Sequence, residues 1–141
     1  MLKRILVAFD GSEQSYKAFD FALDLSRLCP GDDPEIMVLS VAQPPEPADI
    51  VEVDAIIDSA TQHYGELFKG LEEKAKERNQ EIKAEVVVGH PADQVVRYAK
   101  DNNCDTVIVG QTGKSRIEKW LLGSVSKRIS TYSPCTVIIV K

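Results

Sequence analysis

Short apolar runs alternate along the chain with longer amphipathic stretches. The runs are Ile5–Phe9, Ile36–Leu39, Val86–Val88, Val107–Val109 and Val137–Val140. Each is nearly continuous rather than alternating, so each predicts a strand covered on both faces, as in a parallel sheet flanked by helices. Between the runs, residues 12–28 place Ala18, Phe21, Ala22, Leu25 and Leu28 at helical spacing, with Ser12 as the N-cap. Residues 51–79 carry Ile57, Ala60, Tyr64, Leu67, Leu71 and Ala75 on one stripe, while Glu66, Lys69, Glu72, Glu73, Lys76 and Glu77 fall on a solvated face. Ala92, Val95, Val96 and Ala99 mark a third helix, opened by Pro91 and closed at Asn102-Asn103. Residues 124–132 form a short fourth helix that stops before Pro134. Strands alternating with helices predict a single-domain α/β fold: five parallel strands, right-handed crossovers and helices on both faces.

Composition narrows this picture. The chain has 141 residues, which suits one domain spanning 1–141. The hydrophobic fraction of 43% and charged fraction of 28% suit a folded core rather than a disordered chain. The net charge of −5 argues against gripping nucleic acid, which runs on a basic footprint, but not against a small anion held by backbone N–H groups. Cys29, Cys104 and Cys135 share no C-x-x-C spacing and read as reduced thiols of a cytoplasmic protein. His63 and His90 are too few for a multi-histidine metal centre. The run Ile5–Phe9 is too short for a signal-peptide core or a membrane span, so no membrane association is expected.

In an open parallel sheet, ligands bind beyond the carboxyl ends of the strands. Three loops lie there. After the first strand come Asp10-Gly11-Ser12, where a carboxylate is placed to meet a ribose or a magnesium ion, or merely to cap the helix. After the second come Ser40-Val41 and the stiff stretch Pro44, Pro45 and Pro47. The third loop, residues 110–123, is the informative one. Gly110 and Gly113 lie three apart at the strand end, and Gly123-Ser124 opens the fourth helix, whose free N–H groups and dipole suit phosphate. Gly113-Lys114-Ser115 resembles the end of a P-loop, but Val109 takes the place of its first glycine. The dinucleotide fingerprint is missing too, since only Gly11 follows the first strand. On spacing alone, a phosphate site and an ordinary glycine-bearing loop are equal readings.

The pattern G-x2-G-x9-G-[ST] at Gly110, Gly113 and Gly123-Ser124 resembles the nucleotide-binding motif of the universal stress protein family. The resemblance extends over essentially the whole chain. It takes in residues 3–12, Val88-Gly89-His90-Pro91-Ala92, Leu122-Gly123-Ser124-Val125-Ser126 and residues 134–140. It implies a Rossmann-like fold of the adenine nucleotide alpha hydrolase type, strand order 3-2-1-4-5, and binding of ATP, with ADP or AMP as alternatives, aided by Mg2+ or Mn2+. By the same resemblance Asp10 contacts the ribose or the metal, Ala8 and Val41 flank the adenine, and Val109 and Gly110 pass beside the nucleoside. Gly113, Gly123, Ser124, Val125 and Ser126 hold the phosphates. The family often has histidine before the valine of the second strand; here it is Ser40. The family also commonly forms homodimers through antiparallel last strands, and Thr136–Val140 is an apolar edge that needs covering.

Competing readings attach to the remaining residues. His63 reads as a helix-face residue, and His90 as part of the turn into the third helix, with Pro91 at its first position. Trp120, Leu121 and Leu122 suit a lid or plain packing; Lys114, Arg116 and Lys119 suit phosphate neutralisation or a solvated face. No nucleophile–base pair is visible. The expected function is a nucleotide-responsive dimeric regulatory module. Alternatives are a slow magnesium-dependent ATPase or phosphotransferase, and a nucleotide-free structural dimer.

Overall fold

The structure is a computed structural model that describes residues 2–31, 33–44, 49–111 and 123–141. Strands β1 (Arg4–Ala8), β2 (Glu35–Ala42), β3 (Ile82–Val88), β4 (Thr106–Gly110) and β5 (Thr136–Val140) alternate with helices α1 (Glu13–Arg27), α2 (Ile50–Lys76), α3 (Pro91–Asp101) and α4 (Ser124–Tyr132). The five strands form one sheet in the order β3-β2-β1-β4-β5, and every neighbouring pair is parallel. At its centre, Val7 stands between Val38 and Ile108.

The continuous apolar runs exist because the sheet carries a core on each face. Ile5, Val7, Ile36, Val38 and Ile108 pack with Ala18, Phe19, Ala22 and Leu23 of α1 and with Phe68, Leu71 and Ala75 of α2. Leu6, Met37, Leu39, Val107 and Val109 pack with Ala92, Val95 and Ala99 of α3 and with Ile129 of α4. Each fully buried aliphatic or phenyl side chain in these layers contributes about 1.5–3 kcal/mol.

Three elements differ from the pattern-based expectation. The buried face of α1 is Ser15, Ala18, Phe19, Ala22, Leu23 and Ser26, while Phe21 is 40% and Leu28 is 77% exposed. Two serines on the core side hide this stripe in the sequence. Both are satisfied: Ser15 Oγ donates to the Ser12 carbonyl at 2.8 Å, and Ser26 Oγ donates to Gln80 Oε1 at 2.9 Å. Strand β3 begins four residues earlier than its valine run, because as an edge strand it alternates, with Lys83 and Glu85 exposed. In α2 the buried positions are Phe68, Leu71 and Ala75, and Ile57 of the expected stripe lies exposed.

The amino edge of the sheet is closed by charge. Lys83 Nζ lies 2.5 Å from Glu35 Oε1, and Arg4 Nε lies 3.6 Å from Glu35 Oε2. The hydrogen bond from Lys83, helped by the charges of Lys83 and Arg4, holds the Glu35 carboxyl below its ordinary range.

Candidate functional site

The carboxyl edge gathers the ends of β1, β2 and β4 with the starts of α1, α3 and α4. The chain leaves β1 through a bracing network. Phe9 N–H donates to the Leu39 carbonyl at 2.9 Å, and Ser40 Oγ donates to the Phe9 carbonyl at 2.7 Å. Ser40 is fully buried, so this hydroxyl extends the β1–β2 pairing past the last strand residue. Asp10 is exposed, and its Oδ1 accepts the Ser12 N–H at 2.9 Å. Ser12 Oγ then accepts the Ser15 N–H at 3.2 Å as the N-cap of α1. Asp10 and Ser12 therefore do serve the turn and the cap, and Asp10 Oδ2 is left for a cation or a hydroxyl.

Two glycines shape this edge for different reasons. Gly11 has φ +84°, which side chains rarely adopt. Gly110 has no such angle, but a Cβ there would lie 2.5 Å from the Gln14 carbonyl oxygen and 2.6 Å from its carbon. The first turn of α1 thus lies directly against the end of β4.

Between these segments opens a cleft of about 140 Å³. Seven of the residues expected from the sequence line it: Ala8, Asp10, Val41, Val109, Gly110, Val125 and Ser126. Its walls are mostly apolar, with polar groups at the β1 and α4 sides, the usual character of a small-molecule site. Gly123 is the N-cap of α4, and Ser124 is its first residue; among the described residues no side chain caps this helix. Its first-turn N–H groups face the carboxyl edge. Ser126 is buried, and its Oγ donates to the Gly110 carbonyl at 3.3 Å, tying α4 to the end of β4. Gly113 and residues 112–122, including Lys114, Arg116, Lys119, Trp120, Leu121 and Leu122, lie outside the described residues.

Sequence reasoning missed part of the lining. Phe9, Ser15, Leu39, Pro91 and Val95 also face the cleft. Phe9 and Leu39 end the strand runs already recognised, and Val95 belongs to the recognised apolar face of α3, so adjacency was the available signal. Tyr64 packs half-buried against the core; burial, and then the nearby Asp10 charge, raise its phenol above the ordinary value. His90 precedes Pro91 as the N-cap of α3 without capping it, and Asp93 joins α3 to α4 through an ion pair, its Oδ1 2.9 Å from Arg128 Nε. His63 stays on the outer face of α2, edge-on to Tyr64. Among the described residues, no group of three or more His, Cys, Asp or Glu is arranged to hold a metal ion.

A parallel 3-2-1-4-5 sheet, with its cleft at the carboxyl ends of β1 and β4 where the strand order reverses, defines a Rossmann-like α/β protein. The model of the universal stress protein family matches residues 1–141, and the chain belongs to that family. It is 30% identical over 151 residues to Universal stress protein YxiE of Bacillus subtilis, with both chains covered in full. It is 30% identical to a universal stress protein of Methanothermobacter thermautotrophicus, covering 100% of this chain and 97% of that one. Among solved structures, hypothetical protein MJ0577 superposes with TM-score 0.81 at 26% identity, covering 100% of this chain and 96% of its own. A universal stress protein in complex with cAMP superposes with TM-score 0.75 at 25% identity, covering 99% and 97%. Among the described residues no helix is long and apolar enough to cross a membrane.

Proposed function

We propose that this protein binds an adenine nucleotide, ATP foremost, at the carboxyl edge of its sheet and acts as a nucleotide-responsive dimeric module in the cytoplasm. The observation that carries the reading is one cleft that joins an apolar slot to the start of α4, which no described side chain caps. The slot, between Ala8, Val41 and Val109, suits a base; Asp10 beside Ser12 suits a ribose or a metal-bridged phosphate. Gly123, Ser124, Val125 and Ser126 at the start of α4 offer backbone N–H groups to phosphate oxygens, with Gly113 as their expected companion. The cAMP complex of a related protein supports the ligand class.

A magnesium or manganese ion fits this donor set in one way only. Among the described residues Asp10 is the one carboxylate in the cleft lining, so the nucleotide's phosphates and water would supply the other ligands, which is how Mg2+ is usually held beside phosphates. The ion would neutralise phosphate charge, while Asp10 fixes its place. That same carboxylate motivates the second reading, slow phosphoryl transfer, in which positioning supplies the catalysis.

Dimerisation is assigned to β5. It pairs with β4 on one side only, and Val137, Ile138, Ile139 and Val140 are each partly exposed at the edge. A second copy of the same strand, antiparallel, would satisfy the open backbone groups. Mass spectrometry of the ligand released on denaturing freshly purified protein tests the proposal. An adenine nucleotide is expected, whereas folded protein free of any nucleotide, unable to take one up, overturns it. Phosphate release lost in Asp10→Ala would establish the enzymatic reading; release unchanged in that variant would remove Asp10 from it.

A further inference from the structure

The apolar stripe of α2 is longer than the sheet it packs on. Tyr64, Phe68, Leu71 and Ala75 pack on the core, and Leu67 reaches the sheet edge, where its Cδ1 lies 3.4 Å from a Cβ position on Gly11. Toward the helix start, the same stripe continues through Ala60, Ile57, Val53 and Ile50 at spacings of three and four. Among the described residues, none from Ile50 to His63 belongs to either core cluster, although Val53 and Ala60 are half-buried. Four turns of α2, about 21 Å from Ile50 to Tyr64, thus lie beyond the two described cores. Ile50 is 81% exposed and Ile57 is 37% exposed. Such a contiguous apolar face on a surface helix marks an interaction site.

Charge identifies what the face accepts. Asp54 and Asp58 flank the stripe on one side and Glu52 on the other, with Asp49 at the N-cap. Asp49, Glu52, Asp54 and Asp58 are all exposed. A second copy laid face to face would bring Asp54 and Asp58 against their own kind, which is unfavourable.

We propose that the projecting turns of α2 form a docking surface for a basic amphipathic helix of another protein. Its apolar residues would cover Ile50, Val53 and Ile57, and its lysines or arginines would face Asp54, Asp58 and Glu52, the helix-in-groove mode of recognition. This surface stands apart from the cleft, so the proposal holds whatever the cleft binds.

The test uses the full chain and a labelled synthetic peptide of about five helical turns, with leucines on one face and lysines elsewhere. A counterpart carries glutamate in place of lysine. Fluorescence anisotropy is expected to show saturable binding of the basic peptide alone. Ile50→Ser with Ile57→Ser is expected to weaken it by about tenfold or more. Asp54→Asn with Asp58→Asn is expected to weaken it and to flatten its salt dependence. Ala55 is exposed on the side of the helix opposite the stripe, so Ala55→Ser is expected to leave affinity unchanged. Ile50, Asp54, Ala55 and Asp58 are exposed and Ile57 lies outside both core clusters, so circular dichroism is expected to show native folding in each variant. No binding of the basic peptide, equal binding of the acidic one, or equal loss in Ala55→Ser overturns the proposal. Sedimentation showing that Ile50→Ser with Ile57→Ser dissociates an oligomer also overturns it, because a second copy then occupies the face.

Discussion

Replacing Gly110 with alanine tests whether this glycine serves the fold or only a ligand. The added Cβ would stand 2.5 Å from Gln14 O, 2.6 Å from Gln14 C and 2.8 Å from Gln14 Cβ. The first two are backbone atoms in the opening turn of α1, so no rotamer change relieves the contact. Restoring van der Waals distance requires α1 and β4 to separate by roughly 1 Å, and overpacking of this kind costs about 1–3 kcal/mol. The separation would also disturb the Gln111 N–H bond to the Val140 carbonyl at 2.8 Å and the Ser126 bond to Gly110. For a chain of this length each kcal/mol lowers Tm by about 3–4 °C, so a drop of about 3–12 °C is expected. Thermal melts followed by far-UV circular dichroism measure it, and urea melts are expected to show a lowered midpoint with the slope unchanged. Native stability in Gly110→Ala would refute the close approach of α1 to β4.

Gly123 is expected to behave oppositely. Its φ of −59° and ψ of 155° suit any residue, so Gly123→Val should change stability by less than about 1 kcal/mol and abolish nucleotide binding; calorimetry showing unchanged ATP affinity removes α4 from the site. Ser40→Ala should cost about 1–3 kcal/mol in urea melts, because the Phe9 carbonyl loses its 2.7 Å partner in a buried position. Burial, then a hydrogen bond to Glu85, pushes the Tyr98 phenol up to about 12. The folded state therefore keeps its proton longer than the unfolded chain. Stability is full below the ordinary tyrosine range and falls as pH rises from about 10 to about 12, by about 1 kcal/mol after allowing for solvent screening. Tyr98→Phe should flatten that alkaline slope in melts compared at about pH 9 and pH 11.

The order of elements and the placement of the cleft were legible because the central strands are buried on both faces. Ile5, Leu6 and Val7 have no polar position between them, and the same holds for Val107, Ile108 and Val109. Where burial and apolar character part company, the pattern fails. Ser15 and Ser26 are core-facing yet polar, and Phe21 and Leu28 are apolar yet exposed. Ser15 is satisfied within its own turn and Ser26 by Gln80 from a distant segment, so hydrophobicity marks neither position. Gly110 was legible as a motif residue, but its contact with Gln14 depends on residues almost a hundred positions apart. The bracing role of Ser40 was invisible for the same reason, since its partner is the Phe9 carbonyl on another strand.

Isothermal titration of the folded chain with ATP, in the presence and absence of Mg2+, bears most directly on the central claim. The account predicts one saturable site per chain that is lost in Gly123→Val and weakened in Asp10→Ala. Heat of dilution alone from folded protein already shown to be free of nucleotide, with ADP and AMP equally silent, would contradict it.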